Sequence, residues 1–324
     1  MSSYTHRPAD VSQMQTRSIS NRKTKVQLRD FSQPYQRGAG VQGLLGAFPN
    51  ILAGTEFRAL VRAVVAAKAR RRALIWGLGG HVIKCGLSPV LIGLMREQYV
   101  TAICLNGAGA IHDFEIALCG STSEDVEQEL EGGEFGSSEE TCVWMNEAAA
   151  EGAMSGLGYG EALGEYIHRY PSRFPHRAAS LLATAYSMRI PVTVHIALGT
   201  DTIHNHPSAD GKALGQTSLQ DFRLLTSLVG DLHDGGVYVN CGSAVVLPEV
   251  FLKAVSMNRN LKHPLEGFTT ANLDFFQHYR PVQNVLRRPT QKSGRGIGLN
   301  GHHEIMIPLL AAAILESDGH NEES

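Results

Sequence analysis

The chain has 324 residues, of which 43% are hydrophobic and 19% are charged, and its formal net charge at pH 7 is -2. This composition is typical of a globular protein with a sizeable core, and it offers no overall attraction to nucleic acid or to an anionic membrane. The five cysteines are scattered and include no Cys-x-x-Cys pair, which indicates free thiols in a reducing compartment. Because no apolar run approaches the length of a membrane span and no apolar signal core begins the chain, we expect a cytoplasmic protein.

Residues 1–30 are rich in Ser, Arg, Gln and Thr without periodic apolar positions, which predicts a flexible N-terminal arm. Residues 31–324 are predicted to form a single α/β domain. Within it, residues 56–68 carry apolar side chains at helical spacing, and residues 73–120 alternate strand, glycine loop and helix twice. Such a βαβα unit predicts a Rossmann-like, mostly parallel sheet with helices on both faces.

The remaining elements continue this alternation after an acidic, exposed insertion at residues 121–140. Helices are predicted at 141–154, 159–169, 175–188, 219–229, 247–257 and 304–315, strands at 191–196, 236–240 and 268–273, and a basic irregular segment at 280–295. The four clearest strands each end in a turn of glycine or other small residues. Because parallel sheets bind ligands at the carboxyl ends of their strands, we expect these turns to share one crevice.

Two of these turns resemble loops that hold nucleotide phosphates. Gly79 and Gly80 follow the first strand, and Asn106, Gly107 and Ala108 follow the second and begin a helix. Neither turn has the complete Gly-x-Gly-x-x-Gly spacing, and an ordinary strand-to-helix turn would also use glycine. Their convergence on one edge of the sheet nevertheless predicts a dinucleotide site, with phosphates over the helix starts.

A polar loop after the third strand offers an alternative kind of site. Imidazole and carboxylate groups are suitable ligands for zinc or iron. The candidate ligands are His195, Asp201, His204 and His206, with His302, His303 and Glu304 far along the chain. The spacing lacks a signature such as His-Glu-x-x-His, so a polar loop with hydrogen-bonded histidines is the simpler interpretation and no metal is predicted. A Ser-His-Asp hydrolase is favoured even less than a metal site, because no Gly-x-Ser-x-Gly turn follows any predicted strand.

Several segments between residues 55 and 316, taken in order, resemble the deoxyhypusine synthase family. Asn-Gly-Ala-Gly-Ala-Ile-His-Asp at 106–113 is similar to that family's Thr-Gly-Ala-Asn-x-x-His-Asp turn. Leu-Ala-Thr-Ala-Tyr at 182–186 and Thr-Asp-Thr at 200–202 match further family segments, and Cys-Gly-Ser-Ala at 241–244 stands where the family has three glycines.

The resemblance implies a Rossmann-like subunit, usually a homotetramer, with NAD at the strand ends. The family oxidises spermidine with NAD and transfers its aminobutyl group through an imine on an enzyme lysine. The cofactor-binding residues implied or predicted here are Gly79, Gly80, Asn106, Gly107, Ala108, His112, Asp113, Asp201, Gly242 and Ser243. We predict proton transfer by His112, because imidazole titrates near neutrality.

Two family features are missing. The chain has no Ser-Trp-Gly-Lys motif to supply the catalytic lysine, and Leu-Pro-Glu at 247–249 stands where the family has Lys-Asn or His-His after its three glycines. Arg287 or Arg288 falls nearest to the place of that lysine, but arginine cannot form an imine. Lys292 is the predicted substitute, and Glu249 is a candidate partner for a substrate ammonium unless it is an ordinary helix-start residue. We therefore predict an NAD-dependent enzyme acting on an amine or polyamine, not authentic deoxyhypusine synthesis. The alternatives are a metal-assisted hydrolase or lyase and a non-catalytic NAD-binding protein.

Overall fold

The computed structural model describes residues 3–318. Residues 3–30 are almost entirely exposed and form two short 3-10 turns, so the flexibility of this arm stays a prediction. The strands are β1 (Leu74–Leu78), β2 (Ala102–Asn106), β3 (Val192–His195), β4 (Val237–Cys241), β5 (Thr269–Asp274) and β6 (Arg295–Asn300). The helices are α1 (Gly40–Ala47), α2 (Leu52–Ala69), α3 (Gly80–Lys84), α4 (Ser88–Arg96), α5 (Gly107–Cys119), α6 (Val126–Gly132), α7 (Glu139–Ser155), α8 (Tyr159–Arg169), α9 (Leu181–Met188), α10 (Gly211–Gly230), α11 (Val246–Asn260), α12 (Tyr279–Pro281, continuing as a π-helix over Val282–Arg287) and α13 (His303–Asp318).

The six strands form one parallel sheet in the order β3-β2-β1-β4-β5-β6. This confirms the predicted Rossmann-like α/β fold, because the order is that of two mononucleotide-binding halves joined at β1 and β4. Strand β6 was not predicted. It reads Arg-Gly-Ile-Gly-Leu-Asn, and only its Ile297 and Leu299 are buried among the six positions. A glycine-rich strand at the rim of a sheet lacks the apolar run that marks the inner strands.

Side chains from both faces of the sheet are buried. Trp76 and Leu78 of β1 pack on one side with residues of α2, α5 and α13, whereas Ile75 packs on the other side with residues of α10 and α11. The alternation follows from the two-residue period of a strand. Helices on both faces are therefore confirmed. Within the described residues, no helix has the length and apolar character needed to span a membrane.

Helix α10 covers the outer side of β3, which is an edge strand. Oδ2 of Asp221 accepts hydrogen bonds from the backbone N–H groups of Val194 (2.7 Å) and Gly160 (2.9 Å). The hydroxyl of Ser218, one turn earlier, donates to the carbonyl of Val194 (3.1 Å) and accepts from the N–H of Ile196 (3.3 Å). Both outward-facing backbone groups of Val194 and the N–H of Ile196 are thus paired with side chains, as buried backbone requires.

We expect Asp221→Asn to remove a pH dependence of stability. Burial raises the pKa of the Asp221 carboxyl from 3.8 to about 7. The folded state then holds this proton more tightly than the unfolded state, so stability is lost as pH rises from about 4 to about 7, by up to about 4 kcal/mol. The variant keeps the accepting oxygen without the ionisation. The free energy of unfolding, measured with urea at each pH across this range, should change less with pH for Asp221→Asn than for the wild type.

Asp231→Asn is the matched control, because this aspartate is the exposed C-cap residue of the same helix. It should leave the wild-type slope between pH 4 and pH 7 intact. Parallel stability profiles for Asp221→Asn and the wild type would contradict the prediction.

Candidate active site

The turns after β1 and β4 meet where the strand order reverses, with β2 and β3 on one side and β5 and β6 on the other. The N–H of Gly79 donates to the carbonyl of Cys241 (2.8 Å), and a Cβ on Gly79 would lie 2.1 Å from the carbonyl oxygen of Gly242. Only glycine fits at Gly79, since the obstacle is backbone. The predicted residues Gly79, Gly80, Gly242 and Ser243 therefore lie together at the place where doubly wound sheets bind ligands.

The turn after β2 was predicted to hold a phosphate, but a carboxylate of the protein lies against it. Asn106 caps α5 through a hydrogen bond from the N–H of Gly109 to its Oδ1 (2.9 Å). The carboxylate of Asp201 lies against Gly107, where a Cβ would be 2.0 Å from its Oδ2. Burial raises the pKa of this carboxyl. Because an acidic side chain already stands at the helix start, this turn suits a hydroxyl donor such as a ribose better than a phosphate, contrary to our expectation.

His112 projects from the second turn of α5 toward the turn after β1. A Cβ on Gly80 would lie 3.1 Å from its Cδ2 and 3.2 Å from the methyl group of Ala108. Nδ1 of His112 lies 2.7 Å from Oγ1 of Thr122, whose hydroxyl donates to the carboxylate of Glu115. Since threonine has one proton to give, Nδ1 must be the donor in the neutral imidazole. Nε2 then carries the lone pair, as a proton acceptor requires.

Asp113 is a correction to the predicted cofactor site. Its side chain is fully buried, and its two carboxylate oxygens accept hydrogen bonds from the Ser180 hydroxyl (2.6 Å) and the N–H groups of Leu181 (2.7 Å) and Leu182 (2.9 Å). It therefore caps the N-terminus of α9. A carboxylate without exposed surface cannot contact a ribose or a nicotinamide, so Asp113 is structural.

The histidines considered as metal ligands do not form a cluster. His195 is buried, and its Nε2 lies 3.0 Å from Oγ1 of Thr193; burial lowers its pKa to about 3. His206 contacts Glu139 (3.1 Å) and Ser208 (2.8 Å). His204 remains 4.0 Å from the Asp201 carboxylate. Among the residues described, the ligand atoms of this loop do not converge on one point, so the alternative metal centre is not supported.

The two candidates for amine chemistry, Lys292 and Glu249, are also unsuited to it. Lys292 is exposed in the loop before β6, where the neighbouring Ser293 hydroxyl accepts from the N–H of Gly267 (3.0 Å) ahead of β5. This loop is at the amino-terminal edge of the sheet, opposite the crevice, so the prediction for Lys292 is wrong. Glu249 lies in the first turn of α11 and is ion-paired with Lys253 and Arg280, so two cations already balance the charge of its carboxylate.

A cavity of about 450 Å³ opens at the carboxyl ends of β4 and β5, beside the turn after β1. It is lined by His81, Gly242, Asp274, Phe275, His302, His303 and Glu304. Sequence reasoning missed Asp274 and Phe275 because they follow the strand whose prediction was weakest. A larger cavity of about 970 Å³ lies at the opposite edge of the sheet, near residues that precede β1, β2 and β4. Because open α/β sheets bind ligands at the carboxyl ends of their strands, the 450 Å³ cavity is the better candidate for a ligand site.

No protein-family model and no curated protein matches the chain. Solved structures share its fold. A conserved candidate LOR/SDH protein from Methanococcus maripaludis S2 has a TM-score of 0.50 at 16% identity, covering 82% of this chain and 70% of its own. A candidate deoxyhypusine synthase from Entamoeba histolytica has a TM-score of 0.50 at 12% identity, covering 88% and 96%. AgrE, in a ternary complex with ornithine and NAD+, has a TM-score of 0.51 at 12% identity, and the chain spans 34% of its length.

Proposed function

We propose that this chain is an NAD-dependent enzyme that oxidises a small amine or polyamine. The observation that carries the proposal is the strand order, with two glycine turns in contact at its reversal point, because this arrangement binds dinucleotides in open α/β sheets. AgrE, which has the same fold, is a protein crystallised with ornithine and NAD+. That support is an analogy at the level of fold, so the residues themselves must supply the chemistry.

The cavity beside the crevice favours a cationic substrate. Two carboxylates, of Asp274 and Glu304, line it, and no lysine or arginine does so among the described residues. The side chain of Phe275, which is 48% exposed, offers an aromatic face for an ammonium group. An ammonium group would therefore find opposite charge and an aromatic wall together, whereas an anion would be repelled.

The proposed roles follow from these positions. NAD supplies a hydride acceptor when it is bound. Asp201 accepts hydrogen bonds from ribose hydroxyls at the start of α5, and His112 takes a proton at Nε2, with its ring held by Thr122 and Glu115. With no lysine among the residues that line the cavity, the proposal ends at oxidation and includes no transfer through an enzyme imine.

Calorimetric titration with NAD tests the cofactor and the role of Asp201 together. We expect the wild type to bind NAD and Asp201→Asn to bind at least tenfold more weakly, since a charged acceptor would be lost from ribose hydroxyls. Tighter binding by the variant would mean that Asp201 repels a phosphate, which would overturn its proposed role. Asp210→Asn is the control, because this exposed aspartate caps α10 in the same segment and should not change affinity.

Addition of spermidine or ornithine to the NAD complex then tests catalysis through NADH absorbance. We expect NADH formation with at least one of these amines. Failure of the wild type to bind millimolar NAD would contradict the whole proposal. Binding of NAD without NADH formation from either amine would favour the alternative of a non-catalytic NAD-binding protein.

A further inference from the structure

We propose that His81, Cys85 and Glu304 form a binding site for zinc or a similar divalent transition metal at the rim of the 450 Å³ cavity. The site uses none of the residues of the histidine loop after β3. It shares Glu304 with the proposed substrate cavity, so a bound metal would leave Asp274 as the carboxylate for an ammonium group. Metal binding itself does not depend on the binding of NAD or on the oxidation of an amine.

The ligand atoms already lie at distances that suit coordination. Sγ of Cys85 is 3.3 Å from Nε2 of His81 and 3.8 Å from Oε2 of Glu304, and all three ligand atoms lie within 4.8 Å of one another. Zinc bonds of about 2.0–2.3 Å in tetrahedral geometry require ligand atoms roughly 3.4–3.6 Å apart. The two separations from Cys85 need only a few tenths of an ångström of adjustment. The ligand atoms of His81 and Glu304, which lie within 4.8 Å of each other, need a movement of at most roughly 1.4 Å, and both residues are exposed.

Two elements bring these residues together. His81 and Cys85 are four residues apart on α3 and its C-terminal cap, so their side chains lie on one face of that turn. Glu304 is in the first turn of α13, which returns to the sheet beside β1 from 219 residues further along the chain. A metal would therefore tie the first strand-to-helix turn to the last helix.

The donor set is that of a transition metal. Imidazole, thiolate and carboxylate together suit Zn²⁺, whereas Mg²⁺ and Ca²⁺ prefer oxygen ligands alone. Three protein ligands leave a fourth position, on the side where His302 lies with its Nδ1 3.6 Å from Oε1 of Glu304. That position is open to the cavity, so a water molecule or the imidazole of His302 would complete the tetrahedron.

Binding of Zn²⁺ or Co²⁺ to the purified, metal-stripped full chain tests the proposal. Equilibrium dialysis should find one tight Zn²⁺ per chain, and Co²⁺ should give a thiolate-to-cobalt charge-transfer band with intense tetrahedral d–d bands. Cys85→Ser should lose the charge-transfer band, and it should weaken Zn²⁺ binding at least 100-fold, since even outer-shell partners of metals contribute about 10–100-fold. Glu304→Gln should weaken Zn²⁺ binding without removing the charge-transfer band, because the variant keeps the thiolate of Cys85.

Cys119→Ser is the matched control, because Cys119 is an exposed free thiol whose neighbours offer only Ser121 and a backbone carbonyl. It should retain both the stoichiometry and the spectrum. Stoichiometric Zn²⁺ should also raise the thermal midpoint of the wild type and of Cys119→Ser but not of Cys85→Ser. A cooperative thermal transition in each variant shows that it is folded. No tight Zn²⁺ binding by the wild type, or an unchanged cobalt spectrum in Cys85→Ser, would overturn the proposal. Neither result depends on NAD binding, so the proposed function could fail while this site stands.

Discussion

Asp113→Ala is expected to lower the free energy of unfolding by about 3–5 kcal/mol, because three buried donors would lose their acceptor. The Ser180 hydroxyl and the N–H groups of Leu181 and Leu182 all point at this carboxylate in a part of the core that water cannot reach. Ser180 would still cap α9 by accepting from the N–H of Ala183, but the first two N–H groups of the helix would be left without an acceptor. Urea unfolding followed by circular dichroism measures the loss.

Asp125→Ala is the appropriate control, since Asp125 caps α6 from an exposed position and its loss should cost about 1 kcal/mol or less. Asp113→Asn should fall between the wild type and Asp113→Ala, as it keeps one acceptor oxygen. If Asp113→Ala destabilised the protein no more than Asp125→Ala, the structural role of Asp113 would be wrong. In that case its carboxylate would have to be reconsidered as a ligand for the cofactor.

His112→Gln is expected to reduce the turnover number for NAD reduction by about 10²–10⁴-fold, the usual contribution of a positioned proton acceptor. Glutamine can hydrogen-bond to Thr122 but cannot take a proton at the position of Nε2. Because the proposed role of His112 is to take a proton and not to hold NAD, NAD affinity should change by less than about threefold. Steady-state rates with the most active amine, together with calorimetry, separate the two quantities.

Thr122→Val tests the link between His112 and Glu115. Valine cannot accept from Nδ1, so the imidazole is no longer held in the tautomer that leaves Nε2 free, and a smaller loss of turnover is expected. A full loss of NAD affinity in His112→Gln would assign this residue to cofactor binding. Unchanged turnover in His112→Gln would remove it from the mechanism.

The inner strands were predictable because parallel strands with both faces buried read as continuous apolar runs. β3, β4 and β5 begin and end within one residue of the positions predicted for them. β6 was not predictable, since its glycines and exposed polar residues gain a strand conformation only from pairing with β5. The helix at residues 279–287 was missed for a related reason. Its sequence is mostly polar and basic, and the buried face around Val285 is too short to give a helical apolar pattern.

The site was predictable where local chain geometry determines it. A turn of small residues at the end of a strand lies at the carboxyl edge whatever follows, so Gly79, Gly107 and Gly242 were placed correctly at that edge, while their contact with NAD stays a prediction. Which carboxylate is buried could not be deduced locally. Asp113 meets its partner Ser180 only because α9 folds back against α5, although the two residues are 67 positions apart in the sequence. The pairing of Cys85 with Glu304 likewise depends on where β6 and the turn after it place the start of α13.

The cover that α10 places over β3 has a consequence for association between molecules. An uncovered edge strand presents backbone donors and acceptors that a strand of a second molecule can pair with, and this is a common route to aggregation. Here Asp221 and Ser218 already pair with the outward-facing groups of Val194 and Ile196. Aggregation through this edge therefore requires α10 to detach first, so the helix protects the sheet in concentrated solution as well as completing its core.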